Sequence, residues 1–159
     1  MAKKSKQSKT LPIYILNGPN LNLLGHREPE VYGYTTLAQI EEMCAAQAAG
    51  LGLAIVFRQS NREGEIVDHL QEARTSGAAV IINPAGYGHT SIAILDSIQA
   101  CGLPVIEVHL SNIHRREPYR NHSYVSKGAT GIIMGLGAQG YVRAVDAVAE
   151  ILSAKGKKK

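Results

Sequence analysis

Tryptophan is absent from these 159 residues, phenylalanine occurs once and cysteine twice. Cys44 and Cys101 are far apart, lie in apparent helices and lack metal-ligand spacing. A disulfide scaffold and a cysteine metal knuckle are therefore not expected, and both thiols read as small buried hydrophobes of a reducing, cytoplasmic compartment. No apolar run reaches the length of a membrane span, and the first ten residues carry charge without an apolar core, so neither a membrane anchor nor a secretory signal is expected. Lysine is nearly missing from the body of the chain. Lys127 is the only one between residues 10 and 154, which leaves little for imine chemistry, since that needs a buried lysine.

The formal charge of +4 misleads, because eight of the seventeen Lys and Arg residues lie in two terminal lysine clusters. The remainder is mildly acidic. The clusters therefore read as solubilising tails, disordered over 1–10 and basic over 153–159, and not as a nucleic-acid or membrane interface. Between them, residues 11–152 form one domain, long enough to bury a core without staples.

Within that domain, apolar runs alternate with helical patterns. "LPIYILN" (11–17), "LAIVFRQ" (53–59), "AAVIINP" (78–84), "LPVIEVHL" (103–110) and "TGIIMG" (130–135) read as strands. The first helix opens with a Thr36/Gln39 capping box and stops at Gly50 or Gly52. Further helices follow over 63–77, 90–102 and 139–152. Buried strands alternating with helices imply α/β architecture, a parallel sheet covered on both faces. Five units fit a flavodoxin-like, doubly wound sheet of order 2-1-3-4-5, whose ligand site lies beyond the carboxyl ends of strands one and three. The segments leaving strands one, three and four hold five of the six histidines and many of the asparagines.

Three familiar motifs are incomplete. "GLGAQG" (135–140) has dinucleotide-loop spacing, but no further strand follows to supply a ribose-binding acid. Asn17 and Asn83 end strands one and three where a receiver-type magnesium site needs carboxylates; amides suit hydroxyls or an enolate better. His109, His114 and Glu107 lack a convincing metal-ligand spacing. No metal or organic cofactor is expected.

What remains is "LLGHREPEVYGY" (23–34), with Arg27 and Tyr32 five positions apart. Such a pair is commonly a stacked surface contact. It is also a way to favour a phenolate, because a nearby guanidinium stabilises the charged form and so can make a general base. The residues alone leave both readings open.

Taken together, "NGPNLNLLGHREPEVYG", "NPAGYGHTSIAILD", "IEVHLSNIHRREPYRNHS" and "GLGAQGY" resemble type II 3-dehydroquinate dehydratase (3-dehydroquinase), over essentially residues 11–152. The resemblance implies a lyase of the shikimate pathway, serving aromatic amino-acid biosynthesis. It would remove water from 3-dehydroquinate by a trans-type elimination through an enolate, giving 3-dehydroshikimate. By that likeness Tyr32 is the base at C2, Arg27 activates it, and Asn20 steadies the enolate with an ordered water. His109 is the acid at the C1 hydroxyl, assisted by Asn83. His89, Arg120 and the backbone at Leu110 and Ser111 bind substrate, and Asp96 reaches a neighbouring subunit's site within a trimer, four trimers forming a dodecamer. Two positions depart from the family pattern. Gly88 commonly reads Thr there, which suggests a looser loop before His89, and Leu95 commonly reads Arg.

Overall fold

The computed structural model describes residues 10–156; residues 1–9 and 157–159, with most of the lysine clusters, lie outside the described residues. Five strands, β1 (Ile13–Asn17), β2 (Ile55–Gln59), β3 (Ala79–Asn83), β4 (Val105–His109) and β5 (Gly131–Met134), form one parallel sheet of order β2-β1-β3-β4-β5. The flavodoxin-like order read from the sequence is the observed one. The paired segments are shorter than the apolar runs, and proline is one cause. Pro12 and Pro104 stand just before β1 and β4, and Pro84 just after β3, where a residue without an N–H limits the ladder.

Alternation along the strands sorts two cores. Ile13, Ile15, Ile81 and Val108 pack against α2 (Leu37–Gly50) and α5 (Gln139–Gly156), whereas Tyr14, Leu16, Val80 and Val105 pack against α3 (Glu63–Ser76) and α4 (Ile92–Cys101). Each such Ile, Leu or Val contributes about 1.5–3 kcal/mol by leaving water. Cys44 lies in the first core, where burial pushes its thiol up to about 12, so it acts as packing. Among the described residues no helix is long and apolar enough to cross a membrane.

The capping box is present: Gln39 N–H donates to Thr36 Oγ1 at 3.2 Å, and Thr36 N–H donates to Gln39 Oε1 at 2.9 Å. Helix α2 ends at Gly50, and Gly52 takes the left-handed turn just beyond it, with φ 72°. Two features were not legible. The stretch around Tyr32 is not all loop but contains a one-turn helix, α1 (Pro29–Tyr32), opened by proline and closed by Gly33 at φ 80°. Helix α5 also runs one turn past residue 152 to Gly156, with Lys155 favourably placed in its last turn.

Candidate active site

Strand parity decides which functional side chain faces which layer. Asn17 and Asn83 are register partners and continue the face of Ile13 and Ile81, toward α5. Glu107 and His109 continue the face of Val105, toward α4. At the carboxyl ends of β1 and β3 the chains pass very close. Gly18 N–H donates to the Asn83 carbonyl at 2.8 Å, and a Cβ on Gly18 would lie 2.3 Å from the Pro84 oxygen. Only glycine fits that approach.

A cavity of about 270 Å³ opens at this edge, lined by nine of the ten predicted residues: Asn20, Arg27, Tyr32, Asn83, His89, His109, Leu110, Ser111 and Arg120. The tenth, Asp96, is exposed on α4 and lies outside the cavity. Three described non-glycine residues have positive φ, and all three belong to this edge. Asn20 (φ 66°) and Ala85 (φ 49°) line the cavity, and Glu28 (φ 41°) precedes α1. Such backbone costs energy and persists only where its surroundings hold it. For Asn20 the holder is Asn61, whose Oδ1 accepts the Asn20 N–H at 2.9 Å.

Tyr32 lies between the two readings of its sequence. Arg27 stacks on it, Cζ 5.6 Å from the ring centroid, but pairs with Glu28 at 3.2 Å. The guanidinium that reaches the phenol oxygen is Arg116, whose Nη1 donates to Oη at 2.8 Å while its Cζ stands 5.4 Å from the ring. That bond is the foremost reason Arg116 is held above its ordinary arginine value. A permanent cation donating to a phenol oxygen favours the phenolate. Arg116 was not singled out from the sequence; "HRREPYR" offers three arginines, and local spacing does not say which one turns inward.

His109 is nearly buried, and its Nε2 lies 2.6 Å from Oε1 of Glu107, which is 0% exposed. Ser123 Oγ donates to the same carboxyl at 2.5 Å, and Ser126 Oγ donates to its other oxygen. Burial by itself would raise the Glu107 carboxyl; the bonds from His109, Ser123 and Ser126 outweigh it and hold the group below the ordinary carboxylate range. An ionised carboxylate accepts only, so the ring nitrogen facing it carries a proton and Nδ1 is the other functional nitrogen. Glu107 thus orients His109 from inside the fold, a role its sequence position two residues away hinted at only through strand alternation.

The departure at Gly88 is packed, not loose. Gly88 is buried, and a Cβ there would lie 2.9 Å from Pro84 Cγ and 3.2 Å from Ser123 Oγ, the hydroxyl that serves Glu107. Next to it, His89 Nδ1 donates to the His122 carbonyl at 2.6 Å, and His122 Nε2 donates to the His89 carbonyl at 3.0 Å, so each imidazole clasps the other's backbone. Burial first, then the neighbouring His109, His122 and Arg120, hold His89 below its ordinary value against the His122 bond. It presents a neutral ring. Arg120 Nε, 3.3 Å from Glu117 but misaligned for a hydrogen bond, is a buried donor without a partner among the described residues.

The carboxylate has a consequence for acid stability. Above about pH 4.3 both folded and unfolded Glu107 are ionised, and the stabilisation is fully present. Below that, the unfolded chain takes up the proton first, so stability is lost as pH falls toward the lower folded value. Denaturant midpoints followed from pH 7 to pH 3 are expected to fall less steeply over this acid range in Glu107→Gln than in the parent. An equal slope would assign the acid loss to other groups.

With this geometry in hand, likeness to known proteins is informative. The sequence profile described as "Dehydroquinase class II" matches residues 11–149. The chain belongs to the class II dehydroquinase family. It is 58% identical over 144 residues to a 3-dehydroquinate dehydratase of Streptomyces coelicolor, covering 90% of this chain and 92% of the relative. It is 59% identical over 138 residues to one of Phenylobacterium zucineum, covering 87% and 95%. Among solved structures, the type II dehydroquinase of Propionibacterium acnes superposes with a TM-score of 0.85 at 41% identity, covering 89% of this chain and 97% of the other. The family match thus spans every element that builds the cavity, from β1 to most of α5.

Proposed function

We propose that this chain is a type II 3-dehydroquinate dehydratase, a hydro-lyase that converts 3-dehydroquinate to 3-dehydroshikimate on the shikimate route to aromatic amino acids. The observation that carries this reading is one cavity lined both by a phenol bonded to arginine and by a histidine backed by a buried carboxylate. Tyr32, as phenolate, takes a proton from C2 beside the ketone. Asn20, a neutral donor, steadies the enolate oxygen, with an ordered water as its partner. His109 then gives a proton to the C1 hydroxyl, which leaves as water, because hydroxide alone is a poor leaving group. Glu107 compensates the imidazolium that donates it. Arg120, His89 and the backbone of Leu110 and Ser111 hold the substrate, whose carboxylate suits an arginine-rich cavity. Arg27 and Arg116 share the activation of Tyr32, with Arg116 the closer to the oxygen. No step needs a metal, an organic cofactor or a lysine. Lys127 does not line the cavity, and its ammonium stands 5.6 Å from the Tyr124 ring centroid.

The direct test is ultraviolet absorbance. Adding 3-dehydroquinate should produce the band of a conjugated enone, and borohydride added during turnover should leave no mass adduct on Lys127. Absence of the band would end the proposal, and an adduct would replace the enolate by an imine. Arg116→Ala should move the acidic limb of the pH–rate profile to higher pH, because the charge favouring phenolate is gone. A limb that stays in place would leave Arg116 as a substrate contact only.

The assembly belongs to the same proposal: a cytoplasmic dodecamer of four trimers, with Asp96 completing a neighbour's cavity. Asp96 stands on α4 beside Ile92, which is 58% exposed, and outside its own chain's cavity. Asp96→Ala should weaken substrate binding, and mixed oligomers of Asp96→Ala and Tyr32→Phe chains should recover activity at sites pairing an intact Tyr32 with a neighbour's intact Asp96. A monomer by light scattering, or mixtures no more active than either parent, would overturn it.

A further inference from the structure

Behind the cavity lies a hydrogen-bonded chain that the steps above do not use. Tyr141, in the first turn of α5, is 0% exposed, yet its hydroxyl sits between the side chains of Asn83 and Asn17. Asn83 Nδ2 donates to Tyr141 Oη at 2.9 Å, and Tyr141 Oη donates to Asn17 Oδ1 at 2.8 Å. The two outer ends of the chain are backbone groups whose roles are fixed by their chemistry. The Ala85 N–H can only donate, and it meets Asn83 Oδ1 at 3.1 Å. The Arg58 carbonyl can only accept, and it meets Asn17 Nδ2 at 3.0 Å.

Those two ends determine every amide in between. With Oδ1 turned to Ala85, Asn83 offers its nitrogen to the phenol; with Nδ2 turned to Arg58, Asn17 offers its oxygen. The phenol can satisfy both only by accepting from Asn83 and donating to Asn17. Reversing either amide would set donor against donor or acceptor against acceptor in a dry core, at the cost of unsatisfied buried groups. Burial raises the Tyr141 phenol, partly offset by the Asn83 bond, so the proton needed for this direction stays in place.

We propose that Tyr141 is a positioning residue that, through this one-way relay, holds Asn83 with an amide N–H, and not its carbonyl, available to the cavity that His109 also lines. The inference rests on the dehydratase reading for its consequence in turnover. There, a fixed donor in the cavity that the acid also lines meets the oxygen of the departing hydroxyl as it gains negative charge, where a carbonyl would repel it. The relay links β1, β3 and α5, so the donor is set before any ligand enters.

The test compares Tyr141→Phe, Asn83→Ala and the double variant with the parent, each checked for folding by circular dichroism. Tyr141→Phe is expected to lower kcat by about 10- to 100-fold, the cost of a misplaced group, with KM changed by less than about threefold. In the Asn83→Ala background the same substitution should cost less than about twofold more, because its effect passes through Asn83. Losses that multiply, or a Tyr141→Phe variant within about twofold of the parent, would overturn the proposal. Should Tyr141→Phe fail to fold, Asn83→Asp decides: it replaces the donor by an acceptor of the same shape and should lose at least as much kcat as Asn83→Ala, while retained activity would overturn the relay. A crystal structure reads the relay apart from turnover, so a failure of the dehydratase reading stays distinguishable. The Asn83 amide, then held only at Ala85, is expected to swing in Tyr141→Phe, or in Asn83→Asp the phenol to leave Asn17 for the carboxylate, and unmoved side chains would overturn it.

Discussion

Tyr32→Phe is expected to lower kcat by about 10³-fold while substrate affinity stays within about tenfold, the range of a lost general base. The substitution deletes one oxygen. The ring remains, and with it the stacking of Arg27 and Arg116 at 5.6 and 5.4 Å and the half-buried packing of α1. What disappears is the atom to which Arg116 donates at 2.8 Å. Loss of turnover with binding preserved separates a base from a binding group, since a binding group would raise KM first. Initial rates from the enone absorbance and affinity by calorimetry supply the two readings. Retention of more than a few per cent of the parent kcat would place the base elsewhere.

His109→Ala is expected to lower kcat by about 10²–10⁴-fold and to destabilise the fold as well. The activity loss follows from removing the proton donor for the leaving hydroxyl. The stability loss has a separate cause. Glu107 is 0% exposed and keeps the serine bonds but loses the His109 N–H, and a hydrogen bond to a charged group is worth about 1.5–3 kcal/mol. His109→Gln supplies a control, because an amide N–H can still reach the carboxylate while offering no titratable proton. It should recover much of the denaturant midpoint and little of the activity. If both variants stay within tenfold of the parent kcat, the acid lies elsewhere in the cavity.

The residue pattern carried the architecture. Continuous apolar strands such as "IYILN" and "AVIIN" bury on both faces, so the parallel sheet, its order and the site's edge followed from hydrophobicity and turn chemistry. Motif likeness then brought nine site residues to that edge, each of which lines the cavity. Strand alternation placed Glu107 and His109 on one face, but solvent and metal were as consistent with it as a buried pair. The choice came from Ser123 and Ser126, sixteen and nineteen residues on, whose hydroxyls make burial of the carboxylate tolerable.

Arg27 lies one short loop and one helical turn from Tyr32, so its nearness could be read along the chain. The bond from Arg116 spans 84 positions, and the link from Tyr141 to Asn17 spans 124. Contacts of that range depend on how the β4 exit, α1 and α5 settle against one another, which packing decides and local spacing does not record. Sequence by itself determined the five strands and the four longer helices, in what order they lie and which residue types reach the functional edge. Tertiary structure alone decided which arginine touches the phenol, which nitrogen of His109 is tied down and which way the asparagine amides point. Those are questions of hydrogen-bond direction, and a donor finds its acceptor only after the chain has closed around both.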